Sequence, residues 1–224
     1  DIHGKPMIQW IIDALDGAQS VHSTVIIGLP ADCGLESRKP LAYIENQGGM
    51  LSNILAGIQY VKKIEPDAQH VLVASSDVPG VQAKMIDWVV QTAMQTDDDL
   101  YYNVIEQKVM ESRFPGSRRS YTHLRNGSFC GGDINVVRAI TVAEDSVWND
   151  IIAARKNVLK QASIIGWDTL FLLLLRQITI DEAVKRVSKR VGLRGRALIC
   201  PYAEIGMDVD KPFQHRIVEQ DLLR

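Results

Sequence analysis

Cysteine is scarce in this chain and never paired in spacing. The three cysteines, Cys33, Cys130 and Cys200, lie far apart and match neither a disulfide framework nor a zinc-ligand spacing. That pattern suits a reducing compartment, and a cytoplasmic location is expected. Long apolar runs are missing too. The longest, Leu170 to Leu175, is far short of the roughly 20 residues that span a bilayer, and no charged start leading into an apolar core resembles a signal peptide. Neither sign of charge dominates: 25 basic residues stand against 27 acidic ones, for a net charge of −2. A global electrostatic case for binding nucleic acid or an anionic membrane is therefore absent. No internal repeat or low-complexity tract interrupts the sequence. What remains is a soluble globular protein of 224 residues, long enough to bury a core without disulfides and read most simply as one large α/β domain.

The periodicity alternates between helix and strand. Pro6 to Leu15 has helical spacing, with Gly17 at its stop, and Thr24 to Gly28 reads as a strand. A polar loop leads to a short strand at Ala42-Tyr43-Ile44, and Gly48-Gly49 opens a helix from Met50 to Lys63. The apolar run His70 to Ala74 is bounded by Pro79-Gly80 and followed by a helical pattern around Met85 to Val90. This rhythm implies a three-layer α/β/α fold around a mainly parallel, twisted sheet. From about Asp99 to Val137 the pattern turns β-rich, with aromatic residues among glycines and arginines, and suggests a small inserted lobe. Helices are expected at Val147 to Leu159, Trp167 to Gln177 and Thr179 to Val191, then a strand at Ala197 to Cys200 and a last helix after Pro212.

Four segments carry chemistry. The strand His70 to Ala74 runs into Ser75-Ser76-Asp77-Val78-Pro79. It would deliver Asp77 to a strand's carboxyl end, where open α/β sheets bind ligands and where a hard cation finds carboxylate oxygens. A helix-capping or turn role for Asp77 explains that segment equally well. Near the end, Asp208 and Asp210 in Gly206-Met207-Asp208-Val209-Asp210-Lys211-Pro212 would share a face if extended. Alone, Asp210 reads slightly better as a cap for the helix beginning at Pro212. Between them, Gly48-Gly49 runs into a helix start holding Ser52 and Asn53, a place where backbone amides can meet phosphate or a base edge, or simply turn the chain. The fourth segment spans Arg113, Arg118, Arg119 and Gly131-Gly132-Asp133-Ile134-Asn135. Arginines there could clamp an anionic acceptor, and small residues would let Asp133 or Asn135 reach a substrate hydroxyl.

In order and spacing, Gly4-Lys5-Pro6-Met7, the Gly-Gly helix start, Ser76-Asp77-Val78-Pro79 and Asp208-Val209-Asp210-Lys211-Pro212 resemble the nucleotidyltransferases of the nucleotide-diphospho-sugar transferase fold. The nearest branch is the one containing molybdenum-cofactor guanylyltransferase. The resemblance implies that Asp77 binds a catalytic Mg2+, completed by Asp210 with Asp208 in reserve. It places Lys5 near the phosphates, Gly49, Ser52, Asn53 and Ser76 at the nucleotide, and Gly132, Asp133, Asn135 and Arg113 toward the acceptor. The implied reaction is attack by an acceptor phosphate on the α-phosphorus of a nucleoside triphosphate, releasing pyrophosphate. Catalysis would then be mainly positioning and charge neutralisation.

Such family members open on an apolar strand and a glycine-rich phosphate loop, whereas this chain starts at Asp1 just after that point. Residues 1–224 are expected to form a single nucleotidyltransferase-like domain without that strand and loop. Two alternatives remain open. A nucleotide-sugar-dependent glycosyltransferase of the same fold would place Asp-X-Asp at the metal, and Ser75-Ser76-Asp77 has one carboxylate only. A non-catalytic nucleotide-binding or regulatory domain is the other. The stripe Trp167, Phe171, Leu172 and Leu175 could serve a homo-oligomer or a membrane-peripheral surface, though such stripes are more often core.

Overall fold

A computed structural model describes residues 1–143, 162 and 164–223. The helix expected at Val147 to Leu159 lies outside the described residues. The chain opens with α1 (Met7–Gly17), β1 (Thr24–Ile27), β2 (Leu41–Ile44), α2 (Met50–Ile64), β3 (His70–Ala74) and α3 (Ala83–Ala93). It continues with β4 (Leu100–Glu106), α4 (Gln107–Arg113), β5 (Thr122–Leu124), β6 (Gly127–Gly131) and β7 (Ile134–Arg138). Beyond these come α5 (Trp167–Leu174), α6 (Ile180–Val191), β8 (Gly195–Cys200), a 3₁₀ turn at Ala203–Gly206 and α7 (Pro212–Asp221).

The strands form two sheets. β1 and β2 make a parallel pair of their own, while β3 to β8 form a six-stranded sheet. In that larger sheet β3–β7, β4–β7, β4–β6 and β5–β6 are antiparallel, and β4–β8 alone is parallel. The expectation of a mainly parallel sheet is therefore corrected. The cause is the long return strand β6–β7, whose two halves lie end to end along one edge of β4 while β8 takes the other. The segment expected as an inserted lobe supplies this centre. Tyr101 and Ile105 of β4 and Ile134 of β7 are completely buried, and only the short β5 stands at the margin.

Helices cover both faces. On one side Ile11, Ala14 and Leu15 of α1, Met85, Ile86 and Val89 of α3, and Val218 of α7 pack with Tyr101, Ile105, Cys130, Ile134 and Val136. The spacing of those residues, i, i+3, i+4 in α1 and i, i+1, i+4 in α3, is what gives each helix a single apolar stripe to bury. Across the sheet, Ile58 of α2 packs with Val137 and Ala139. Farther along, Leu172, Leu173, Ile180 and Ala183 cover Val104, Leu124 and Phe129. This is a three-layer α/β/α arrangement. α6 is closed by sequence-local chemistry: Thr179 and Glu182 form a reciprocal capping box, and Gly192 ends the helix in the left-handed conformation at φ 79°.

β6 and β7 are separated by a bulge. Val104 faces Gly131 and Tyr101 faces Val136, so Tyr102 and Asn103 stand opposite the longer stretch from Gly132 to Asn135. The Asn135 side chain replaces the missing ladder bond: its Oδ1 accepts from the Asn103 N–H at 2.9 Å and its Nδ2 donates to the Gly132 carbonyl at 3.1 Å. Asn103, fully buried, returns a bond from Nδ2 to the Ile134 carbonyl at 2.6 Å. Bulges of this kind bend a strand and re-aim a side chain. Here the side chain is Asp133.

Candidate metal and nucleotide site

The end of β3, the bulge and the segment before α7 meet at one point. The Ser75 N–H donates to the Asp133 carbonyl at 2.9 Å, and the Asp133 N–H donates to the Ile205 carbonyl at 2.8 Å. Two residues on, the Val209 N–H donates to the Asp77 carbonyl, also at 2.9 Å. These main-chain bonds hold Asp77 beside the Asp208–Asp210 segment. Carboxylate oxygens of Asp77, Asp208 and Asp210 accordingly lie within 4.8 Å of one another.

The capping alternatives do not survive this geometry. α3 begins at Ala83 with Gln82 as its cap residue, well past Asp77, whose Oδ1 accepts a 2.6 Å hydrogen bond from the Ser75 hydroxyl. α7 is preceded by Lys211 and has no side-chain cap. The Asp210 N–H is held at 3.1 Å by Oε1 of Gln214, a buried side chain, which fixes the main chain at Asp210.

Asp133 joins it. Burial pushes its carboxyl up, and the negative charge of Asp77 adds to that shift; Arg119 opposes it and Asp210 adds to it, giving a value of about 6. Its Oδ2 is buried with no hydrogen-bond partner among the described residues. Arg119, itself mostly buried, forms an ion pair with Asp208. Asp77, Asp208 and Asp210 form an all-carboxylate set in which Asp208 is paired with one guanidinium. An all-oxygen set of this kind fits a hard divalent cation such as Mg2+, and the orphaned Asp133 oxygen points the same way.

The other expected site residues have partners of their own or lie close to the cluster in sequence. Lys5 forms an ion pair with Asp13 and lies 4.1 Å from the centre of the Trp10 ring. Gly49 precedes α2 in an extended conformation, and Asn53 Oδ1 accepts from the Gln47 N–H at 2.7 Å, which orders the loop at the start of that helix. Ser52 lies in the first turn of α2, and Ser76 is exposed beside Asp77. Gly132 is packed closely: a Cβ there would stand 3.0 Å from Asn103 Cβ and 3.2 Å from its carbonyl oxygen. Asn135 spends its amide on the bulge. Arg113 is engaged by Asp221 through two bonds of 2.6 Å and by Glu204 at 2.8 Å, tying α4 to α7. Burial holds the Cys200 thiol at about 12, so it stays protonated.

Sequence reasoning did not single out Asn103, Gln214 or the specific partnership of Arg119. A signal for Asn103 was present, since it is the one amide within the otherwise apolar and aromatic stretch Leu100 to Ile105.

The fold recurs in known proteins. A hypothetical transferase from Thermus thermophilus is 30% identical, with a TM-score of 0.84 over 96% of this chain and 88% of its own. The fold is also shared by 4-diphosphocytidyl-2C-methyl-D-erythritol synthase from Anaerococcus prevotii, at 6% identity and a TM-score of 0.61 over 100% of this chain and 88% of that one. CMP:2-keto-3-deoxy-manno-octonic acid synthetase, solved with CTP, has 14% identity and a TM-score of 0.59 over 100% and 90% of the two chains. Among curated proteins no sequence match accompanies these. Within the described residues no helix is long and apolar enough to cross a membrane. A family model matches residues 1–190, and on that match the chain belongs to the family of MobA-like NTP transferase domains.

Proposed function

We propose that this chain transfers a nucleoside monophosphate from a nucleoside triphosphate to a small phosphorylated acceptor, with Mg2+ held by Asp77, Asp208 and Asp210. The observation that carries this reading is the convergence of those three carboxylates within 4.8 Å at the end of β3. Membership of an NTP transferase family supports it. When bound there, a divalent cation would supply neutralisation of phosphate charge.

The protein groups do the positioning. Asp77 is fixed by Ser75 and by the Val209 N–H, and Asp210 by Gln214. The loop at the start of α2, with Gly49, Ser52 and Asn53, is assigned to the nucleoside. An acceptor phosphate oxygen bonds to the α-phosphorus as the bond to the β-phosphate oxygen breaks, and pyrophosphate leaves. No side-chain nucleophile is required, and the protonated, buried Cys200 offers none.

The experiment is pyrophosphate release by the full-length protein with each of four nucleoside triphosphates, preceded by thermal-shift titration with and without Mg2+. One triphosphate should stabilise the protein in a Mg2+-dependent way. Asp77→Asn should lower turnover at least about 100-fold, as expected when a charge-neutralising site is lost. A protein that no triphosphate stabilises would sink this reading.

A further inference from the structure

Arginine pairing across the molecule singles out one cleft. Among the described residues the side chains of Arg118, Arg176 and Arg216 alone of the arginines have no ion-pair or hydrogen-bond partner; each of the others is paired with a carboxylate. Arg118 and Arg216 line the same open cleft of about 520 Å³, with Gly116, Phe213, Ile217 and Gln220. It lies between the turn after α4 and the exposed side of α7.

Two features distinguish this cleft from an evenly solvated face. Arg118 lies over the Phe213 ring, its guanidinium carbon 5.3 Å from the ring centre. Stacking of this kind fixes the guanidinium plane and leaves its edge N–H donors free. The backbone of Arg118 is in the left-handed region at φ 52°, a conformation that an L side chain occupies only when its surroundings hold it there. Arg216 also lines a second cleft of about 480 Å³, together with Asp210, Lys211 and His215. Lys211 likewise has no ion-pair partner among the described residues. A run of unpaired cations thus leads from Arg118 through Arg216 and Lys211 to the carboxylate cluster.

We propose that this cleft is a phosphate-monoester subsite for a part of the acceptor other than its attacking phosphate, with Arg118 and Arg216 as its clasp and Phe213 as its floor. The assignment to the acceptor rests on the nucleotidyl-transfer reading. Anion binding in the cleft does not. It also replaces Arg113, whose guanidinium is already taken by Asp221 and Glu204.

The test is calorimetric titration of the full-length protein with phenyl phosphate, which offers one monoester and one planar ring, in the absence of metal. Saturable, salt-sensitive binding is expected. Arg118→Gln and Arg216→Gln should each weaken it about tenfold, the usual scale for one charge-assisted bond, and the double variant should abolish it. Lys185→Gln, a change on the exposed side of α6, should leave it unaltered. No saturable binding, or a double variant that binds like the wild type, overturns the proposal. A second titration adds the nucleoside triphosphate that stabilises the protein with Mg2+. Simultaneous binding supports an acceptor subsite, whereas displacement of phenyl phosphate assigns the cleft to the triphosphate and overturns it. If phenyl phosphate binds but no triphosphate stabilises the protein, the nucleotidyl-transfer reading fails and the acceptor role falls with it, while the anion site stands.

Discussion

Asp133 is held close to two other carboxylates and partly out of water, and that placement has a measurable sign. Its value of about 6 exceeds the ordinary aspartate value of about 3.9 of the unfolded chain. Between those two values the native state binds more protons than the unfolded state, so this residue's contribution to stability declines as pH rises through the window. Urea unfolding in EDTA should show Asp133→Asn gaining stability relative to the wild type from about pH 4 to pH 6, then holding that difference. A flat difference would mean that neither burial nor the neighbouring charges raise Asp133. At this scale the sequence was readable where chemistry follows from position in an element. Asp77 and Asp210 each stand at the edge of a regular segment, and their meeting follows from the α/β rhythm. The arginines were not readable, because Arg113 is engaged by Asp221, more than a hundred residues away in the chain, while Arg118 has no such partner. No local pattern distinguishes the two.

Among the elements, α6 shows how far local sequence decides structure. Thr179, Glu182 and Gly192 mark its start and stop, and acidic residues in the first turn with basic ones in the last oppose the helix dipole favourably. Thr179→Ala should cost about 1 kcal/mol, the typical worth of an N-cap, measured by chemical denaturation. It should leave Mg2+-dependent nucleotide binding unchanged, since α6 packs on β8 rather than on the carboxylates. The bulge between β6 and β7 is the opposite case. Gly131-Gly132-Asp133 signalled an irregular turn, but nothing in it shows that Asn103 and Asn135, distant in sequence, supply the missing ladder bonds. Those bonds exist only once β4 and β7 are paired, so the element that aims Asp133 is a product of tertiary structure.

At the scale of the molecule, helix and strand locations followed from periodicity, as did their layering. Strand direction did not. An apolar run such as Ile134 to Val137 reads the same whether it runs with or against its neighbours, which is why a mainly parallel sheet was expected and an antiparallel return strand was found. Its bulge carries a further consequence. Cys130, Ile134 and Val136 all pack in the core shared by α1 and α3, while Phe129 and Val137 pack on the opposite side. Even-numbered positions therefore keep one side of the sheet before and after the interruption, because the interruption adds an even number of residues. Side chains alternate with period two, so losing one residue here would turn one half of the strand inside out. Deleting Gly132 alone should abolish cooperative unfolding, whereas deleting Gly132 and Asp133 together should retain it and remove the pH-dependent stability change assigned to Asp133. The strand can change its length by pairs, and Asp133 arrives in one such pair, so the fold can outlast a carboxylate that it carries beside Asp77 and Asp210.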